Sequence, residues 1–235
     1  MNLSYTLAIF LILCVSTGSL ASNWVPENKP QKRGDIALYT RHIEGEPIKA
    51  FRGVMQVPNA ALDVIALLMD IESYPSWVYQ CNTAKTHVVE SQPRLVYMAF
   101  SGIWPAKGRD VLVDHKIQQE YHNGTVHIHA FNSLASYVAD KKYLRLPQLN
   151  NNWYITPLED GWVEIEFQSQ FRAGGKLPNW LLNLVVTMAP KKTLEGMRRQ
   201  LASGKYRTAS VEELPIQSSE VLKLQFDTAP VVAWD

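Results

Sequence analysis

The sequence predicts an α+β domain in which a curved antiparallel sheet packs against one long C-terminal helix, with apolar space between them. Three observations predict it. Between about residues 83 and 171 the chain runs as strand after strand with short turns. Asn123-Gly124 separates two alternating apolar/polar segments, the strongest short-range hairpin signal. From Pro178 to Ala202 the apolar spacing becomes helical, and Gly204 supplies the stop. An antiparallel meander has one face to bury, and a long apolar helix can cover it.

The elements follow in order. Asp35–Ile43 and Ile48–Val57 read as two strands joined around Gly45. Pro58-Asn59 opens a helix in which Leu62, Ile65, Ala66 and Met69 recur at helical spacing, and Pro75 ends it. Thr83–Glu90 and Arg94–Ser101 flank a turn at Ser91-Gln92-Pro93. Arg109–Tyr121 and Thr125–Ser133 form the Asn-Gly hairpin. Tyr143–Leu146, Asn152–Leu158 and Trp162–Phe171 complete the sheet, the last two turning at Glu159-Asp160-Gly161.

Length and composition fit one domain with short extensions. The chain has 235 residues, 46% of them hydrophobic, enough to bury a core. Lys and Arg number 23 against 22 Asp and Glu, so the basic excess of a nucleic-acid binder is missing. Residues 1–21 stand apart. Leu3 to Val15 is almost wholly apolar, and Ser19-Leu20-Ala21 is an acceptable small-x-small cleavage site. This reads as a secretory signal peptide, since the run falls short of the roughly 20 residues a bilayer span needs. The expectation is export to the periplasm or beyond. Residues 22–34 read as a polar leader, 35–210 as the domain and 211–235 as a tail. Cleavage would leave Cys81 alone, without an intramolecular disulfide partner and expected as a small buried apolar residue.

The hairpin tells inside from outside. With Asn123-Gly124 as a two-residue turn, Glu120 faces His127 and Gln118 faces His129. Val111, Val113, His115, Ile117 and Tyr121 then share one face with Val126, Ile128 and Ala130. That apolar face is the buried one. His127-x-His129 has the spacing of a metal pair, but it falls on the polar face without an apparent third ligand. No metal or other cofactor is expected. Arg109 has the parity of Val111 and Val113, which points it inward, where a guanidinium needs a partner or a polar ligand group. The alternative is an arginine at the strand's end that snorkels to water. Asp110 has opposite parity and reads as structural.

The closing helix has two halves. Trp180, Leu181, Leu182, Leu184, Val185, Val186, Met188 and Ala189 surround the axis, so this half is expected to be buried on all sides. Pro190 is expected to kink the helix. Beyond it, Leu194, Met197 and Leu201 keep core spacing beside Lys191, Lys192, Arg198 and Arg199.

Gly175-Lys176-Leu177-Pro178-Asn179-Trp180-Leu181-Leu182-Asn183, running on to Pro190 and Met197-Arg198-Arg199-Gln200-Leu201, resembles the closing helix of START (steroidogenic acute regulatory protein-related lipid transfer) domains. Trp104-Pro105 through Arg109-Asp110-Val111-Leu112-Val113 is similar to that family's Arg-Asp strand entry, and Tyr74-Pro75-Ser76-Trp77 to the segment after its first helix. The resemblance spans about residues 35–205. It implies a helix-grip fold and non-covalent binding, with transport as an extension, of a lipid or other apolar molecule. The implied ligand-contacting residues are Trp104, Arg109, Val111, Val113, His115, Trp180, Leu181, Leu184, Val185 and Met188. The expected partners are such a ligand and a transient membrane contact, with the protein monomeric and free of nucleic acid. The alternative is a helix-grip enzyme resembling polyketide cyclases, for which His115 and Arg109 are the candidate acid/base groups. Family members are often intracellular, and the expected export departs from that pattern.

Overall fold

A computed structural model describes residues 24–89, 92–135, 137, 140–207, 210–214 and 224–225. The apolar segment 1–21 lies outside the described residues. Among the described residues, ten strands and two α-helices follow in the order β1 (Val25–Pro26), β2 (Ala37–Arg41), β3 (Ala50–Val57), α1 (Ala61–Met69), a 3₁₀ turn (Ile71–Ser76), β4 (Cys81–Val89), β5 (Gln92–Phe100), β6 (Gly108–Gln119), β7 (Val126–Asn132), β8 (Tyr143–Arg145), β9 (Gln148–Pro157), β10 (Val163–Arg172) and α2 (Asn179–Ala202). The sheet runs β1-β2-β3-β10-β9-β7-β6-β5-β4, antiparallel throughout, with β8 added parallel to β6. Pairing of β10 with β3 sets the N-terminal strands beside the last one. Among the described residues no helix is long and apolar enough to cross a membrane.

The hairpin differs from expectation in register but not in face. Gln118 pairs with His127 and Lys116 with His129, and Glu120 and Thr125 close a four-residue loop through a 2.9 Å backbone bond. The slip is two residues, and an even slip leaves every side chain on its side of the sheet. Val111, Val113, Ile117, Val126 and Ile128 are therefore buried as expected. Tyr121, expected with them, sits in the widened loop and is exposed. β9 starts four residues before the expected strand, at Gln148. Asn150, Asn151 and Asn152 hide it, because asparagine has low strand propensity. Here the outward Asn150 and Asn152 bond His129 and His127 across the ladder, each at 2.9 Å.

The leader is tied to the sheet from Trp24 onward. Val25 and Pro26 pair with Thr40 and Tyr39. The Arg41 guanidinium stacks over Trp24 at 4.6 Å, and Arg33 pairs with Asp160 while lying 4.1 Å over Trp162. The tail also returns to the body. Leu214 and Leu224 join the core, and Gln225 exchanges hydrogen bonds with Gln119.

Helix α1 is buried along its whole length, whereas α2 is buried unevenly. In its C-terminal half Pro190, Leu194, Met197 and Leu201 face the core. In its N-terminal half Leu181, Leu182 and Val186 are buried, but Asn183 and Thr187 are exposed and Trp180 is 53% exposed. The expected all-round burial is not found, because only one side of this half meets the domain. The helix continues through Pro190, which lies inside it.

Two glycines permit the close docking of the C-terminal half. A Cβ on Gly53 of β3 would lie 2.6 Å from a Leu194 methyl, and one on Gly196 would lie 2.3 Å from the Trp77 carbonyl oxygen. Below α2, Tyr206 donates to Asp70 at 2.8 Å and Lys205 pairs with the same carboxylate at 2.9 Å.

Two outcomes follow from this packing. Gly196→Val forces α2 off Trp77 and is expected to cost about 1–3 kcal/mol, read as a lowered Tm; an unchanged Tm contradicts the close approach. Burial pushes the Asp70 pKa up, but hydrogen bonds from Lys205 and Tyr206 outweigh it and hold the carboxyl below its ordinary value. A depressed folded pKa gives stability that is present above the unfolded value of about 4 and lost as pH falls through the folded one. The stability gap between wild type and Asp70→Asn should accordingly be full at neutral pH and close in acid, as followed by denaturation at a series of pH values.

Candidate functional site

Strand alternation builds the site. Every second residue of β3, β5, β6, β7, β9 and β10 points to one face, and those side chains do not fill the space beneath the N-terminal half of α2. The result is a cavity of about 250 Å³ with a mainly apolar lining. Leu181, Leu182, Val185 and Ala189 of α2 roof it, and Val113, Ile128, Trp153 and Phe167 are part of its sheet face. Tyr74 of the 3₁₀ turn and Trp77, Val78 and Tyr79 at its exit also line it.

An aromatic chain runs along this lining. Phe51 meets Phe167 edge-on at 5.4 Å between ring centroids, and Phe167 stacks on Trp153 at 4.0 Å. Trp153 meets Trp77 edge-on at 6.3 Å, and Trp77 meets Tyr74 at 5.0 Å. Rings in these offset and edge-on geometries hold one another and present flat apolar surface to the space beside them. Tyr74 donates its hydroxyl to the Leu68 carbonyl at 2.7 Å, and burial drives its pKa far above the ordinary phenol range. It stays a neutral wall group.

The exposed Ser101, Gly102 and Lys107, with Ile103 and Ala106, line the cavity where the β5–β6 connection borders it. Arg109 stands next to this loop. Its Nε donates to the Ala173 carbonyl at 3.1 Å, Nη2 to Gly174 at 3.2 Å, and Nη1 to Lys107. These bonds tie the start of β6 to the segment leading into α2. Burial lowers the Arg109 pKa. Among the described residues it forms no ion pair, whereas the arginines at 33, 52, 145 and 172 each meet a carboxylate. No described Asp or Glu lines the cavity.

The neighbouring Asp110 shows the effect of one step in parity. It is fully buried on the other face, takes the Arg145 Nε at 2.9 Å and the Tyr137 hydroxyl at 3.1 Å, and is a structural ion-pair centre. His127 and His129 also lie on that face, with His127 stacked on Tyr154 at 4.5 Å. Cys81 is buried, and burial pushes its thiol up to about 12, so it stays protonated and unreactive.

Of the residues singled out in the sequence, Arg109, Val113, His115, Leu181 and Val185 line the cavity. Val111 is packed in the core beside it. Leu184 and Met188 are half-buried outside the lining, because successive helical turns carry them around the axis. Trp104 and Trp180 face away, 87% and 53% exposed; Ile103 and Leu181 take the inward positions beside them. Sequence reasoning missed Trp77, Trp153, Phe167 and Asn151. For Trp153 and Phe167 the signal was the same alternation that placed Val113; Asn151 lies in the asparagine run that hides the start of β9.

The comparisons agree with this fold. The family model described as "START domain" matches residues 16–209. An uncharacterized protein of Pseudomonas aeruginosa is 29% identical over 198 residues, covering 83% of this chain and 95% of its own. The crystal structure of a STAR-related lipid transfer protein fragment from Xanthomonas axonopodis superposes with a TM-score of 0.66 at 25% identity, over 76% of this chain and 98% of that one. Human StAR-related lipid transfer protein 5 gives 0.65 at 12% identity, over 80% and 89%, a likeness of fold alone. With its ten-stranded sheet, its long closing helix and a family match over most of its length, the chain belongs to the START domain family.

Proposed function

We propose that the protein binds one lipid or similar apolar molecule non-covalently beneath α2 and exchanges it with a membrane. The observation that carries this reading is the unfilled apolar hollow. At about 24 cal/mol per Å³, leaving such a volume empty forgoes on the order of 6 kcal/mol of packing, a large fraction of the roughly 5–15 kcal/mol by which domains are stable. A fold with no use for the hollow would gain by closing it. An apolar chain entering it recovers about 25 cal/mol per Å² of surface taken from water. The likeness to the STAR-related lipid transfer protein of Xanthomonas axonopodis supports the same reading.

Arg109 orients the ligand. Its charge is half-buried and met only by carbonyls, so a polar or anionic head placed beside it and Lys107 supplies the missing partner. Trp104 and Trp180 make the membrane contact. Each is exposed, each adjoins a residue of the cavity lining, and an indole suits the boundary between headgroups and water. Residues 1–21 act as the export signal, so the exchange takes place in the periplasm or outside the cell.

The test is native mass spectrometry and lipid extraction of the purified mature protein, followed by transfer assays between vesicles. Wild type is expected to carry or take up one lipid per chain. The double variant Trp104→Ala, Trp180→Ala should keep its equilibrium affinity while transferring about tenfold more slowly, as loss of interfacial anchoring implies. Protein that stays ligand-free against a broad lipid panel contradicts the proposal, and an unchanged transfer rate contradicts the roles of the two tryptophans.

A further inference from the structure

Given that the cavity holds a lipid, we infer that Asn151 and Ser169 form a polar notch in its floor, which receives a hydroxyl group carried on the lipid's apolar part.

The notch follows from register. Ser169 pairs with Phe51 on one side and Asn151 on the other, Asn151 pairs with Ala130, and Ala130 pairs with His115. Directly paired residues share a face, so this row points into the cavity, and all five residues line it. The next row along the strands is Gly53, Phe167, Trp153, Ile128 and Ile117, without a polar side chain. The polar groups thus form a band across an otherwise apolar floor. Measured along β6, His115 is six residues from Arg109, about 20 Å at strand rise. The band is therefore well separated from the charge that orients the head.

Asn151 is the informative residue. It is the middle of three consecutive asparagines. The outward Asn150 and Asn152 each have a histidine partner at 2.9 Å. The inward Asn151 has an enclosed side-chain oxygen with no hydrogen-bond partner among the described residues, while the residue keeps surface on the cavity. Ser169 stands opposite it, 5% exposed, and no hydrogen bond joins the two side chains. An enclosed amide oxygen without a partner destabilises the fold, and a leucine of similar size would pack there without that penalty. A hydroxyl both donates and accepts, so one placed between the two residues can donate to the Asn151 amide oxygen and accept from the Ser169 hydroxyl. A plain hydrocarbon segment satisfies neither.

The experiment uses stearate and a series of monohydroxystearates that differ only in the position of the hydroxyl, titrated into the full purified protein by calorimetry. One positional isomer is expected to bind wild type about tenfold more tightly than stearate. Asn151→Leu and Ser169→Ala should each abolish that preference, read as the ratio of every isomer's affinity to that of stearate in the same variant. Asn151→Leu should also raise the Tm of ligand-free protein by about 2–4 °C, a gain that a structural asparagine would not give. Ser169→Ala, nearly isosteric, carries the test if the leucine variant fails to fold. Equal binding of stearate and every isomer, or a preference that survives both substitutions, overturns the notch and leaves the carrier reading standing. Failure of wild type to bind any of these amphiphiles overturns the notch as well, and the broad lipid panel then decides the carrier reading separately.

Discussion

The fixed docking of the C-terminal half of α2 is the constraint on which the other features depend. That half is held from three directions: against β3 at Gly53, against the Trp77 backbone at Gly196, and below by the Tyr206–Asp70 contact. A helix of 24 residues is about 36 Å long and stiff. Clamped at one end, it lays the other over the inward face of the sheet, where Leu181, Leu182, Val185 and Ala189 roof the hollow. The hollow is what remains between the N-terminal half of α2 and the inward face of the sheet.

Strand parity then sorts the chemistry. Arg109 and Asp110 are adjacent in sequence and lie on opposite faces. Asp110 is neutralised by Arg145 and two tyrosine hydroxyls, and belongs to the architecture. Among the described residues Arg109 is held by carbonyls alone, which position it without cancelling its charge. The outward face spends its charged and amide groups on cross-strand pairs such as Arg52 with Glu166. The inward face carries rings and aliphatic groups, with polar side chains confined to a few positions. Such a surface favours an elongated amphiphile over a compact polar molecule.

Much of the fold was legible because it rests on period. Two-residue alternation identified the strands, and the faces of β6 and β7 survived a register error because the error was even. The asparagine-rich start of β9 was not legible, since its strand character comes from partners on neighbouring strands rather than from local propensity. The site was legible where it lies on regular elements. Val113, His115, Leu181 and Val185 follow from parity or helical spacing. Trp104 and Trp180 were read inward because the family resemblance implies ligand contact there and, for Trp180, because apolar residues surround the axis of that half of the helix. Their outward orientation is set by the loop geometry and by the one-sided docking of α2, neither of which has a sequence period. Trp77 entered the lining through its contact with Gly196, a tertiary fact no local pattern carries.

The central claim is that an apolar chain lies in the hollow between α2 and the sheet. Crystals of the protein soaked with a dibrominated fatty acid, measured at the bromine absorption edge, test this directly. The account predicts paired anomalous peaks inside the hollow, beside Trp153 and Phe167 and beneath Val185. Peaks confined to the outer surface, or a hollow closed by side chains with α2 drawn down onto the sheet, would contradict it.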